Sequence, residues 1–302
     1  MSWLYFALAA PFLYAIVNLI DDNLLRFVYK SPWLAATIGG LFGALPLLSR
    51  IFIHTSSVPA LYIFMAILSG FLLTVFYLFY FRALSSSYPS VVVAFLNLVP
   101  ATLIFLSYFL LHENLYFIQI LGFTIVLLAS ILLTLSFPDL KNFWSAEVIL
   151  PTLVAVVLID AISLLMKDSY NHAQFYPLYM YYSAGLGLGG IVFLVFHFIT
   201  GKQSEIRKLG SSFKKVVPIF LIAEVLNLVS ELCINLATSK GPVSLVRVIE
   251  GIQPLFVLLI ALILYPFAPR FFREAGGGGN FRKFVLMVVA VWGIVLVAAN
   301  QR

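Results

Sequence analysis

The chain has 302 residues, 63% hydrophobic and only 10% charged, where a soluble globular domain carries about 25% charged residues; this composition excludes one. The net charge of +6 is spread through polar connections, so it reads as a topology signal rather than a nucleic-acid surface. The apolar residues come in blocks of roughly twenty, the length that crosses a bilayer core as a helix, and they lack the alternation of barrel strands.

Ten transmembrane helices are predicted, at about 3–20, 33–53, 58–81, 89–111, 116–137, 147–167, 177–199, 216–237, 242–266 and 283–299. The expected class is an all-α, polytopic membrane protein. The first span follows Met1-Ser-Trp. That start has no basic stretch of the kind a cleaved leader carries, so the span is expected to stay in the mature protein. It contains Asn18 and closes on Asp21 and Asp22, read as a solvated helix end. Asn97 lies in the fourth span and Asp160 in the sixth. Arg82, Glu113 and Lys167 fall at span ends, where long side chains reach for the interface. The seventh opens with Tyr176, Tyr179, Tyr181 and Tyr182, read as an interfacial belt, with a π-face for a cationic ligand as the alternative. Gly185, Gly187, Gly189 and Gly190 follow them and permit close helix packing. The long connections are 200–215 and 267–282. The second holds Gly276 to Gly279 without the Lys-Ser/Thr of a phosphate loop, so it is read as a linker. The single cysteine, Cys233, sits inside a span and forms no internal disulfide.

Loops after odd-numbered spans carry thirteen Lys and Arg residues; the opposite side carries four. The positive-inside tendency puts the first set in the cytoplasm and both termini outside. The 202–215 run is expected to meet anionic membrane lipid.

The chain also repeats itself. At an offset of 154, Ala83 matches Ala237, Ser85 matches Ser239, Ser90 matches Ser244 and Pro100 matches Pro254. Residues 1–140 and 141–302 would each hold five spans. Five is odd, so the second half enters the membrane inverted, and a site is expected between the halves near the midplane. Pro254 falls mid-helix and should kink its span.

Two segments carry a family resemblance. One is Tyr88-Pro-Ser-Val-Val-Val-Ala-Phe-Leu-Asn-Leu-Val-Pro100, with Leu111-His-Glu-Asn114 and Gln119-Ile-Leu-Gly122 behind it. The other is Gly241-Pro-Val-Ser-Leu-Val-Arg-Val-Ile-Glu-Gly-Ile-Gln-Pro254, with Gly293 in the closing helix. The chain resembles the drug/metabolite transporter superfamily in its EamA-type, ten-span branch. The second half departs from that pattern, because no glutamate directly ends span nine. The resemblance implies a carrier of small solutes and leaves the solute open.

The candidate site is read from polar residues inside apolar spans. An ionisable side chain mid-membrane costs roughly 2.5–3.5 kcal/mol to insert, so such residues face the protein interior or a wet cavity. Glu224, Asn227, Glu231 and Asn235 share one face of span eight, while Arg247, Glu250 and Gln253 share a face of span nine. With about 1.5 Å of rise per residue, Asp160, Glu231, Arg247 and Glu250 lie roughly 7–12 Å below the outer ends of their spans. Arg247 is expected to pair with Glu231 or Glu250, and matching depth favours Glu231. Glu224 is deeper and has no cation at its level. A lone carboxylate in hydrocarbon is stable mainly when protonated or wetted, which makes Glu224 the candidate proton carrier. Asn18 and Asn97 either line the same cavity or hold helices together.

Two function classes follow. The first is a secondary carrier, an exporter or permease of a small polar metabolite or amphipathic solute, working as a monomer or homodimer. The second is a membrane-embedded lipid-modifying enzyme, which would want a nucleophile with a base or a cluster of metal ligands. No such motif appears: His54, His112, His172 and His197 lie apart without ligand spacing. No metal or cofactor is expected. Without an ATP-binding motif, the energy for a carrier would come from a gradient.

Overall fold

A chain in hydrocarbon has no water to satisfy its peptide groups, so each crossing segment must close its own hydrogen bonds as a helix. The computed structural model follows that rule, with no strand among the described residues. It describes residues 2–25, 31–51, 53, 57–87, 92, 95–96, 98–113, 116–134, 145–200, 203–264, 266 and 280–298.

The helices are α1 (Ser2–Leu24), α2 (Pro32–Phe42), α3 (Ala60–Ser86), α4 (Leu98–Leu111), α5 (Phe117–Thr134) and α6 (Ala146–His172). They continue with α7 (Phe175–Ile199), α8 (Gln203–Lys240), α9 (Val243–Glu250), α10 (Gln253–Leu264) and α11 (Asn280–Ala298). Among the described residues, seven stretches are long and apolar enough to cross a membrane: Trp3–Leu24, Pro32–Arg50, Ala60–Ser86, Ala146–His172, Phe175–Ile199, Val217–Lys240 and Val243–Leu264. Leu98–Leu111, Phe117–Ala129 and Val288–Val297 are shorter apolar helices.

The polarity is that of a multi-pass membrane protein. Glu231 and Arg247 are each 8% exposed, whereas Phe109 and Val157 are 69% and 67% exposed. In water this arrangement would be an aggregation surface; in lipid it is the favoured one.

Three details differ from the sequence reading. The second span is not one α-helix: α2 stops at Phe42 and a 3-10 helix, Leu45–Ile51, completes it. Residues 203–215 are not a loop but the first turns of the 38-residue α8. Hydropathy sees only the part of a helix that meets lipid, so it missed the polar extension. Span nine divides into α9 and α10 at Gly251 and Ile252. Pro254 explains the division, since it offers no N–H to the Glu250 carbonyl four residues earlier.

Packing sets where a cavity can form. α1 lies along α8 and also touches α9 and α10, while α3 lies along α6 and α7. α2 faces α7, α4 faces α9, and α5 faces α11. Two contacts are so close that only glycine fits. A Cβ on Gly70 would run into the Tyr182 carbonyl, and one on Gly122 would come within 2.6 Å of the Gly293 carbonyl. One apolar cluster includes Leu73, Phe81, Ile162, Met166, Leu178 and Leu186 of α3, α6 and α7. Another joins Trp3 and Ala7 of α1 to Ile234 of α8, Leu245 and Ile249 of α9 and Val297 of α11.

Candidate functional site

Between these clusters lies a cavity of about 120 Å³. Four helices supply most of its polar wall. α1 contributes Tyr14, Asn18 and Asp21 at spacings of four and three, one helical face. α8 contributes Glu224, Asn227, Glu231, Asn235 and Thr238 in the same rhythm. Arg247, Glu250, Gly251 and Gln253 come from the break between α9 and α10. α3 adds an aromatic side with Phe76, Tyr77, Tyr80 and Phe81, and α7 adds Tyr182.

Glu231 is buried but fully engaged. It accepts hydrogen bonds from the Tyr14 hydroxyl at 2.7 Å and the Tyr182 hydroxyl at 2.9 Å. Asn235 Nδ2 donates to the Glu231 main-chain carbonyl at 2.9 Å, and Asn235 Oδ1 accepts from the Tyr170 hydroxyl at 2.9 Å. One carboxylate thus ties α1, α7 and α8 directly, and α6 through an amide. Hydroxyl donors make such a buried anion tolerable.

Arg247 does not choose Glu231. Its Nη1 meets Glu250 Oε2 at 2.5 Å, three residues along the chain, and its Nε donates to Ser163 Oγ at 3.0 Å. The pair is local because neighbours at i,i+3 share a helix face, while Tyr14 and Tyr182 already occupy Glu231. Asn227 Nδ2 reaches the Tyr77 hydroxyl at 3.4 Å. Asn18 Oδ1 accepts from the Tyr80 hydroxyl at 2.9 Å, but Asn18 Nδ2 is buried without a partner.

Asp160 lies on α6 and is not among the cavity-lining residues; its Oδ1 is buried and unpartnered, with Thr102 and Arg247 as polar neighbours. Asn97 lies outside the described residues. Glu224 and Asp21 line the same cavity. Asp21 is therefore not a solvated helix end. Tyr179 and Tyr182 are buried and do not form a belt; Tyr181, on the other face, stacks under Arg50 at 5.2 Å.

The end of the cavity beside the α8–α9 turn is gripped from three sides. α4 ends at His112, whose φ of 54° is the left-handed conformation of a helix stop. Glu113, the next residue, is thereby brought to the start of α9. It accepts from Val243 N at 2.9 Å and Ser244 Oγ at 2.8 Å, in the place of a cap that Pro242 does not provide. Lys167 of α6 donates to the Gly241 carbonyl at 2.8 Å and the Thr238 carbonyl at 3.2 Å, at the C-terminus of α8. Acid at a helix start and base at a helix end each oppose the local dipole. Trp3 of α1 closes over Gly241, where a Cβ would meet its ring at 2.6 Å. Sequence reasoning left Glu113 and Lys167 as snorkelling side chains.

Residues 1–135 match the EamA-like transporter family. Over those residues that agrees with the resemblance to the drug/metabolite transporter superfamily. No curated protein matches the chain. A crystal structure, titled only as that of a protein, is 16% identical with a TM-score of 0.66, covering 100% of this chain and 97% of its own. That likeness is one of fold. The EamA-matching segment supplies Tyr14, Asn18, Asp21, Tyr77 and Tyr80 to the cavity, and the remainder supplies Glu224, Glu231 and Arg247.

Proposed function

We propose that this protein is a secondary transporter of the cytoplasmic membrane, moving a small polar or amphipathic solute by alternating access. The observation that carries the reading is the cavity itself, polar on its α1 and α8 faces and buried between the first and second parts of the chain. The proposed architecture has ten spans in two inverted five-span halves, 1–140 and 141–302. The packing supports it. Exchange of the halves would turn the α1–α8 pair into the α6–α3 pair, and would return the α2–α7, α4–α9 and α5–α11 pairs to themselves. A cavity on such an axis is reached from either side by rocking one half against the other.

Glu224 is the proposed coupling residue. It has no hydrogen bond or ion pair among the described residues, and Asp21 of α1, Tyr77 of α3 and Glu231 of α8 face the same space. Uptake into proteoliposomes tests the carrier, over a panel of amines, amino acids, sugars and organic acids, with and without an imposed pH gradient. Accumulation of at least one solute, driven by the gradient, is the expected result. Entry of every solute at the rate of protein-free vesicles would overturn the reading.

A further inference from the structure

The carrier reading leaves the solute unnamed, but the cavity wall carries a charge pattern. Four carboxylates, Asp21, Glu224, Glu231 and Glu250, face one guanidinium, Arg247. Glu250 takes Arg247, and two tyrosines take Glu231. Asp21 and Glu224 are left over, with no hydrogen bond or ion pair among the described residues. A cation beside an unpaired carboxylate stabilises its charged form. A second observation is independent of the acids. Asn18 is 6% exposed, lines the cavity beside this pair, and holds an Nδ2 donor with no partner. A buried unmet donor costs about 1–3 kcal/mol, and an acceptor atom on a ligand would relieve it. The α3 side of the cavity is aromatic, with Phe76, Tyr77, Tyr80 and Phe81, and ring faces attract cations.

We infer that the cavity takes a small organic cation: an amine whose ammonium sits at Asp21 and Glu224 while an ether or hydroxyl oxygen on its body accepts from Asn18 Nδ2. The inference rests on the carrier reading for its physiological use, but not for its binding chemistry. The 120 Å³ volume sets the size. A cavity of about 150 Å³ takes benzene, so the ligand has about six non-hydrogen atoms. An anion of the same shape meets the same carboxylates and is repelled, which gives selectivity by exclusion.

Binding to the purified full chain in detergent, read by titration calorimetry, tests this without any transport step. The probes are 3-methoxypropylamine, 3-methoxypropanol, 3-methoxypropionate and n-pentylamine. The first should bind at least tenfold more tightly than the alcohol, and the acid should not bind. Glu224→Gln should weaken the amine at least tenfold, and Glu224→Asp, which keeps the charge, should recover part of that loss. Asn18→Ala should remove the preference for 3-methoxypropylamine over n-pentylamine. Equal binding of amine and alcohol, absence of amine binding, or unaltered affinity in both Glu224→Gln and Asp21→Asn would each overturn the inference. Uptake of another solute class without amine binding would sink this substrate class and leave the carrier standing. Amine binding without uptake of any solute would do the reverse.

Discussion

At the Gly241 turn, Glu113 and Lys167 meet the amides and carbonyls of two helix ends, and Trp3 covers the turn. At the other end of the same cavity, Asp21 and Glu224 are left without hydrogen bonds or ion pairs among the described residues. Both regions place ionisable groups where an apolar chain would avoid them. In the first, each charge ends on a fixed dipole and holds α1, α4, α6, α8 and α9 together. In the second, charge ends on empty space. The contrast separates charges that brace the fold from charges kept available for a visiting partner, and burial alone does not make that distinction.

The sharpest way to break the comparison is to remove an available charge. Glu224→Gln keeps the shape and loses the titration. We expect normal thermal unfolding in detergent and gradient-driven accumulation reduced to the level of protein-free vesicles, with solute exchange retained. Full pH-dependent accumulation by this variant would remove the coupling role.

Removing an engaged charge should do the opposite. Arg247→Ala strands Glu250 in the cavity wall and leaves Ser163 without its donor, a loss of about 3 kcal/mol or more when a buried pair is broken. Denaturant unfolding in mixed micelles would show it. Adding Glu250→Gln should restore part of the stability, whereas adding Glu231→Gln should not, because Tyr14 and Tyr182 hold Glu231. Rescue by Glu231→Gln alone would reverse our assignment of partners.

A smaller loss is expected at the turn. Glu113→Ala removes the cap on α9 and should cost about 1–2 kcal/mol, within the range for N-cap deletions. The same unfolding assay reads it, and an unchanged midpoint would show that the grip on this turn is dispensable. The gentlest experiment perturbs nothing. Reporter fusions at position 208 should report cytoplasm and those after Arg302 the outside, which would place the gripped end at the outer face; reversed labels would turn the molecule over.

Much of the cavity was legible because helical spacing is legible. Glu224, Asn227 and Glu231 announce a shared face by number alone, and Arg247, Glu250 and Gln253 do the same. Partner choice was not legible. Depth pointed from Arg247 to Glu231, but a neighbour one turn away needed no tertiary contact to win. Glu113 and Lys167 were hidden for another reason: they bind backbone groups, and a peptide amide has no signature in the sequence. Asp21 looked like surface because it ends its span, and only the lie of α1 along α8 shows that this end is walled in. Of the fold, the apolar stretches were plain from hydropathy. The polar start of α8 was not, because lipid contact and helicity are separate properties.

That start of α8 has a mechanical consequence. At about 1.5 Å per residue, the stretch from Gln203 to Glu224 is roughly 32 Å of helix, within a helix that runs to Lys240 and holds Pro218 in its interior. A tilt of α8 by about 10° around Glu224 would sweep the Gln203 end through about 5 Å, for the same 1.5 Å rise. Any tilt of α8 at the cavity would thus be magnified at its polar tip, where spin labels or fluorophores would follow it.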